Sequence, residues 1–168
     1  LMNDAEFLKR YDMTPETVIA MFIPNTYEVY WDVTAEKLFD RMFQEYKRFW
    51  TEECLVKAQA ANLTPVEVST LASIVDEETN VAKDKPVIAG LYLNRMRKGM
   101  PLQACPTVKF ALGDFTLTHV LTEHTRVNSP YNTYKNRGLP PGPIRMASIA
   151  GIDAVLNYTK SNYIYMCA

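Results

Sequence analysis

The chain is poor in the residues that build cross-linked or metal-centred folds. It has three cysteines in 168 residues, Cys54, Cys105 and Cys167. An odd number at wide spacing excludes a disulfide framework and a zinc-ribbon pattern, and each cysteine reads as a buried free thiol. It has two histidines, His119 and His124, which flank Glu123 in a polar stretch. Without a third ligand beside them they read as exposed side chains, and no metal is expected. No excess of either charge is present: the formal net charge is −1. That excludes the basic surface needed for nonspecific binding to nucleic acid or anionic lipid. No apolar run is long enough for a transmembrane helix, and no signal-peptide pattern is visible. The opening Leu1-Met2-Asn3 suggests a fragment excised from a longer chain.

What is abundant is apolar and aromatic: 48% of residues are hydrophobic, including ten Tyr, seven Phe and two Trp. A chain of this length supports one buried core. Its organising stretch is Leu71-Ala-Ser-Ile-Val-Asp-Glu-Glu-Thr79, an apolar helix face that runs into three consecutive acids. Thr64-Pro65-Val66-Glu67 opens that helix with a capping residue, a proline suited to the first turn and the glutamate of a capping box. At about 100° per residue, Ile74, Val75 and Glu78 share the face of Leu71, while Asp76 and Glu77 turn away from it. Glu78 therefore continues the buried stripe, near the negative end of the helix dipole. Both circumstances disfavour the ionised form and raise its pKa. A carboxyl group that keeps its proton toward neutral pH is suited to general acid catalysis.

The remaining pattern is mostly helical. Residues 3–10 and the Thr14-Pro15 start each predict a short helix, and Thr34 caps a long amphipathic one reaching about Ala60. Along it Leu38, Phe39, Met42, Phe43, Tyr46 and Phe49 recur at helical spacing and belong to the core. Met21 to Trp31 reads as irregular or short strand, broken at Pro24-Asn25. Asp84-Lys85-Pro86 begins a helix that Lys98-Gly99 stops. Thr107 to Leu112 and Ala147 to Tyr158 are further helical segments, and Tyr163 to Cys167 reads as a terminal strand. Ser129 to Pro143 contains four of the ten prolines. It is an irregular loop, stiff because each proline fixes its own φ and restricts its predecessor. The fold expected is α+β, helix-rich with a small β-sheet. It is read as a single catalytic domain over 1–168, helical over 1–60 and motif-bearing over 64–168.

Three segments carry a resemblance. Ala72-Ser-Ile-Val-Asp-Glu-Glu-Thr79, Leu102-Gln-Ala-Cys-Pro-Thr-Val108, and Ser129-Pro-Tyr-Asn-Thr-Tyr134 with Gly138-Leu-Pro-Pro-Gly-Pro-Ile144 occur in this order, with Asn94-Arg95 and Gly99-Met100 between the first two. Together they resemble the YceG-like family, the membrane-anchored endolytic murein transglycosylases. The resemblance covers most of the chain from about residue 64, with a weaker echo at Phe22 to Tyr27. It implies cleavage of the β-1,4 bond between N-acetylmuramic acid and N-acetylglucosamine within a peptidoglycan glycan strand, leaving a 1,6-anhydro end. It names Glu78 as the acid, the residue also reached by helical face.

One carboxyl group suffices for that reaction, whereas ordinary glycosidases use a flanking pair. The resemblance further suggests Gln103, and Tyr131, Asn132 and Tyr134 on the stiff loop, as substrate-binding residues. It implies no cofactor. The partners it implies are glycan strands and, through them, the peptidoglycan synthases. The localisation it implies is extracytoplasmic, on a membrane anchor that this chain does not contain. The sequence departs from the pattern at Cys105, where an aspartate is usual, and in the acids before Glu78. The pattern also continues past Ala168 into a segment containing histidine.

A non-catalytic glycan-binding or scaffolding domain is the alternative, favoured by Cys105 and opposed by the presence of Glu78. Cysteine-histidine catalysis at Cys105 lacks a local signature. Aminodeoxychorismate lyase chemistry, a label sometimes attached to such sequences, would need a pyridoxal-phosphate lysine and a glycine-rich phosphate loop that is not seen here.

Overall fold

A computed structural model describes residues 1–166. Asp4 accepts the Phe7 amide at 3.0 Å and starts α1, Ala5–Leu8, which tightens into a 3-10 turn over Lys9–Tyr11. The Thr14-Pro15 start yields a second 3-10 turn, Val18–Met21, rather than an α-helix. Thr34 caps α2, Ala35–Phe49. The helix expected to reach Ala60 breaks at Trp50, which leaves helical geometry at φ −80°, ψ 72° and enters the core. Thr51 then caps α3, Glu52–Ala60, and Glu52 and Glu53 sit at its positive end. Those two acids beside a threonine are the start signal that reading one long helix overlooks. An aromatic layer joins α1 to α2: Phe39 meets Phe7 edge-on at 5.2 Å, and the Tyr11 hydroxyl donates to Asp40 at 2.9 Å.

The capping box predicted at Thr64 forms in full and opens α4, Pro65–Glu78. Helix α5 covers Lys85–Arg97 and α6 Cys105–Leu112; each is followed by a glycine in the left-handed region, Gly99 at φ 65° and Gly113 at φ 68°. Ser148 caps α7, Ile149–Leu156. Helix α4 packs against α3, α5, α6 and α7 and is buried continuously from Val68 to Asp76. It is a central helix rather than a one-sided amphipathic one. Burial of Leu71, Ile74 and Val75, each 0% exposed, stabilises it by roughly 1.5–3 kcal/mol per side chain.

Being buried on every side, α4 buries an acid the helical-wheel argument turned toward solvent. The Asp76 side chain is 4% exposed, ion-paired with Lys85 at the start of α5. Its Oδ2 accepts the Ser148 amide at 2.7 Å and its Oδ1 the Ser148 hydroxyl at 2.9 Å, at the start of α7. Asp76 thus joins three helices. The approach is close enough that a Cβ at Gly151 would lie 2.6 Å from its carboxylate, so only glycine fits there.

No strand forms among the described residues, so the expected small β-sheet is corrected to a helix-rich fold. The alternating Tyr163-Ile-Tyr-Met has no strand partner. Its backbone carbonyls are instead bound by side chains of α5: Asn94 donates to Ser161 at 2.7 Å and to Tyr163 at 3.0 Å, and Arg95 Nε to Ile164 at 2.7 Å. Met21 to Trp31 likewise carries no strand. The cysteine reading also changes: Cys54 is half-buried and Cys105 exposed, both free, while Cys167 lies outside the described residues. No helix among the described residues is long and apolar enough to cross a membrane.

Candidate active site

Helix α4 ends at Glu78, where Thr79 turns to extended backbone. The last turn emerges from the core, so Glu78 is half-buried while its neighbour Glu77 is exposed. Across from it, on α5, the Tyr92 hydroxyl donates to Glu78 Oε1 at 2.7 Å. Tyr92 is itself among the most buried side chains, so its ring is fixed and its hydroxyl has the carboxyl as partner. Burial pushes the Glu78 pKa above its ordinary value of 4.5, and the charge of Glu77 adds to this. The Tyr92 hydrogen bond and the positive charge of Lys109 oppose the rise without cancelling it. Burial and the adjacent carboxylate drive the Tyr92 phenol well above its own ordinary value, so it stays a donor.

Two depressions are lined by the partners and neighbours of Glu78 rather than by Glu78 itself. One, of about 170 Å³, is lined by Tyr92, Arg95, Gln103 and Tyr134, with Tyr165 and Met166 at its rim. The other, of about 380 Å³, is lined by Glu77, Lys109, Phe110, Phe115 and Arg145. Glu78 is tied to both, to the first through its partner Tyr92 and to the second through its neighbours Glu77 and Lys109.

The other residues expected at the site fall into two groups. Gln103 and Tyr134 reach the smaller depression. Gln103 is exposed and adopts φ 53°, a left-handed conformation unusual for a residue with a Cβ. It is held there by its amide, which donates to the Thr133 carbonyl at 3.1 Å, and by Arg95 Nη1, which lies 3.4 Å from its Oε1. Arg95 also donates to the Leu102 carbonyl at 2.7 Å, so a buried guanidinium fixes the loop that presents Gln103. The Tyr134 hydroxyl lies 3.2 Å from Cys105 Sγ, at the first residue of α6. Burial, with the nearby thiol, raises the Tyr134 phenol.

Asn132 stands one layer behind, and Tyr131, half-buried like Tyr134, lies against Phe110. Asn132 is 0% exposed. Its Nδ2 donates to the carbonyls of Thr125 at 2.9 Å and Val127 at 2.7 Å, and its Oδ1 accepts the Tyr134 amide at 3.0 Å. The Asn132 side chain is therefore occupied in shaping the proline-rich loop and placing Tyr134. Tyr131 packs on Phe110 with ring centroids 4.7 Å apart and so backs the larger depression. The loop is joined to α6 by Thr133, whose hydroxyl accepts the Ala104 amide at 3.0 Å and lies 2.8 Å from the Thr107 hydroxyl.

Tyr92, Lys109 and Arg95 were not among the residues expected at the site. For Tyr92 one signal was available: a phenol inside the apolar run Leu91-Tyr92-Leu93 needs a buried partner. His124 Nδ1 accepts the Leu121 amide at 3.1 Å, and no cluster of potential metal ligands occurs among the described residues.

An endolytic murein transglycosylase of Streptococcus pneumoniae (strain D39) is 35% identical over 150 residues, 86% of this chain and 27% of that protein. One of Bacillus subtilis (strain 168) is 43% identical over 99 residues, 59% of this chain and 27% of that protein. The crystal structure of a YceG-like protein from Listeria monocytogenes superposes with a TM-score of 0.81 at 32% identity, covering 99% of this chain and 59% of that one. The chain spans about a quarter of the length of the curated relatives it matches. The model of the YceG-like family matches residues 2–168, and the chain belongs to that family.

Proposed function

We propose that this chain is the catalytic part of an endolytic lytic transglycosylase. Its substrate is the glycan strand of peptidoglycan, cut at the β-1,4 bond between N-acetylmuramic acid and N-acetylglucosamine. The observation that carries the reading is a single half-buried carboxyl group with a raised pKa, fixed on one oxygen by Tyr92, which lines one depression, while Glu77 and Lys109 beside it line a second. Tyr92 holds Oε1, which leaves Oε2 to carry the proton. Glu78 gives that proton to the glycosidic oxygen as its bond to the muramyl C1 breaks. The muramyl C6 hydroxyl then bonds to C1, and the Glu78 carboxylate takes the proton that O6 loses. No water is consumed, the carboxyl group ends as it began, and the products are a 1,6-anhydromuramyl end and a free 4-hydroxyl.

Gln103 and Tyr134 contact sugar in the smaller depression, Gln103 through its amide and Tyr134 through its ring and hydroxyl. Asn132 and Tyr131 act through the residues they support. The whole protein carries this part outside the cytoplasmic membrane on an anchor, cuts nascent strands and so limits their length, and works beside the synthases that make them. A non-catalytic glycan-binding domain would not need a carboxyl group desolvated and locked in this way. The test is digestion of uncrosslinked murein strands by the parent and by Glu78→Gln, with mass spectrometry of the products. The parent releases anhydromuramyl ends and the variant does not; equal release from both would overturn the assignment.

A further inference from the structure

The larger depression takes no part in the proton transfers just described, yet its charged residues leave one cation over. Of its charged residues, Arg145 and Glu77 are ion-paired with each other and cancel. Lys109 makes no ion pair among the described residues, although it is half-buried and close enough for its charge to act on Glu78. Beside it Phe115 stands 71% exposed, its ring 6.4 Å from Phe110, which Tyr131 supports from behind. An unpaired cation and an uncovered aromatic ring share one depression, which Glu77, the neighbour of Glu78, also lines.

We infer that this depression is a subsite for the peptide stem of the muramyl residue, with Lys109 pairing a stem carboxylate and Phe115 covering the stem's aliphatic part. The inference rests on the glycan-cutting reading above. N-acetylated sugars carry no charge, and the lactyl acid of muramic acid is consumed in its amide bond to the peptide. The carboxylates of a strand therefore belong to the stem, and a free cation at the site selects for them. The stem starts on the same muramyl ring whose glycosidic bond Glu78 protonates. Its second residue, a glutamyl unit with a free or amidated α-carboxyl, lies within about 7 Å of extended chain from that start.

Two measurements test this. In the first, kcat/KM is compared on uncrosslinked strands whose stem carboxylates are free and on the same strands with those carboxylates converted to amides. The ratio of the two falls about tenfold in Lys109→Gln, the size of one charge-assisted hydrogen bond. An unchanged ratio would overturn the subsite and place Lys109 at Glu78 alone. In the second, binding of N-acetylmuramyl dipeptide is titrated into the Glu78→Gln chain, which needs no turnover. The form with both glutamyl carboxylates free binds about tenfold tighter than the form with both amidated, and Lys109→Gln removes the difference; equal binding of the two forms overturns the proposal. Failure of the underlying reading looks different: the parent would release no anhydromuramyl ends from either strand.

Discussion

Asp76 and Glu78 stand two residues apart on one helix and have opposite surroundings. Asp76 has every oxygen engaged: Lys85 and two groups of Ser148 surround it, and its side chain is 4% exposed. Glu78 has one hydrogen bond, from Tyr92, and stands where α4 leaves the core. A rotation of about 200° along the helix takes one acid into the junction of α4, α5 and α7 and the other to the helix end against Tyr92 of α5. Satisfied acids hold folds together; an acid left short of partners has capacity to spare for a substrate. The lesson is that burial alone does not single out a candidate proton donor here, because the more buried acid, Asp76, has every partner in place. The unfilled hydrogen-bonding capacity of Glu78 is what makes it the proposed one.

The sharpest way to break this contrast is to remove each acid separately. Glu78→Gln keeps the Tyr92 hydrogen bond and the fold, and lowers kcat about 10²–10⁴-fold, the usual share of a general acid. A smaller loss in steady-state kinetics would move the chemistry elsewhere. Asp76→Ala does the reverse. It strands Lys85, whose side chain is 11% exposed, without its counter-charge and destabilises the chain by roughly 3–5 kcal/mol in denaturant unfolding. Gly151→Ala probes the same junction from the other side. Its Cβ would lie 2.6–2.8 Å from the Asp76 carboxylate, and the forced shift costs about 1–3 kcal/mol, read as a lower unfolding midpoint with little effect on residual kcat.

The finest test concerns Tyr92. Its hydrogen bond favours the ionised form of Glu78, so Tyr92→Phe lifts the Glu78 pKa further. Activity that depends on the protonated acid is lost as pH rises through that pKa, so this limb of the kcat profile moves to higher pH in the variant. A merely structural tyrosine would lower activity without moving the limb.

The sequence was most informative where a local rule decides. The Thr64–Glu67 capping box, the Thr34 cap, the Lys98-Gly99 stop and the irregular proline loop all follow from short-range rules, and the structure has each of them. It misled where partners are distant. Tyr163 to Met166 alternates like a strand, but a strand needs a neighbour, and Asn94 and Arg95 take its carbonyls instead. The helical wheel assumed one buried face; α4 is wrapped by four helices, so the wheel hid Asp76. Tyr92 lies fourteen residues beyond Glu78 on a different helix, and only the packing of α4 on α5 brings them together. Asn132 was legible as a residue of the site loop but not as a buried one, because its three hydrogen bonds all depend on how the loop closes.

The most direct measurement is an NMR titration of the Glu78 carboxyl carbon, assigned by its disappearance in Glu78→Gln. The account predicts a midpoint above the ordinary glutamate value of 4.5, rising further in Tyr92→Phe. A midpoint at or below 4.5 would mean that the carboxyl group is ionised like any exposed acid, and would contradict its assignment as the proton donor.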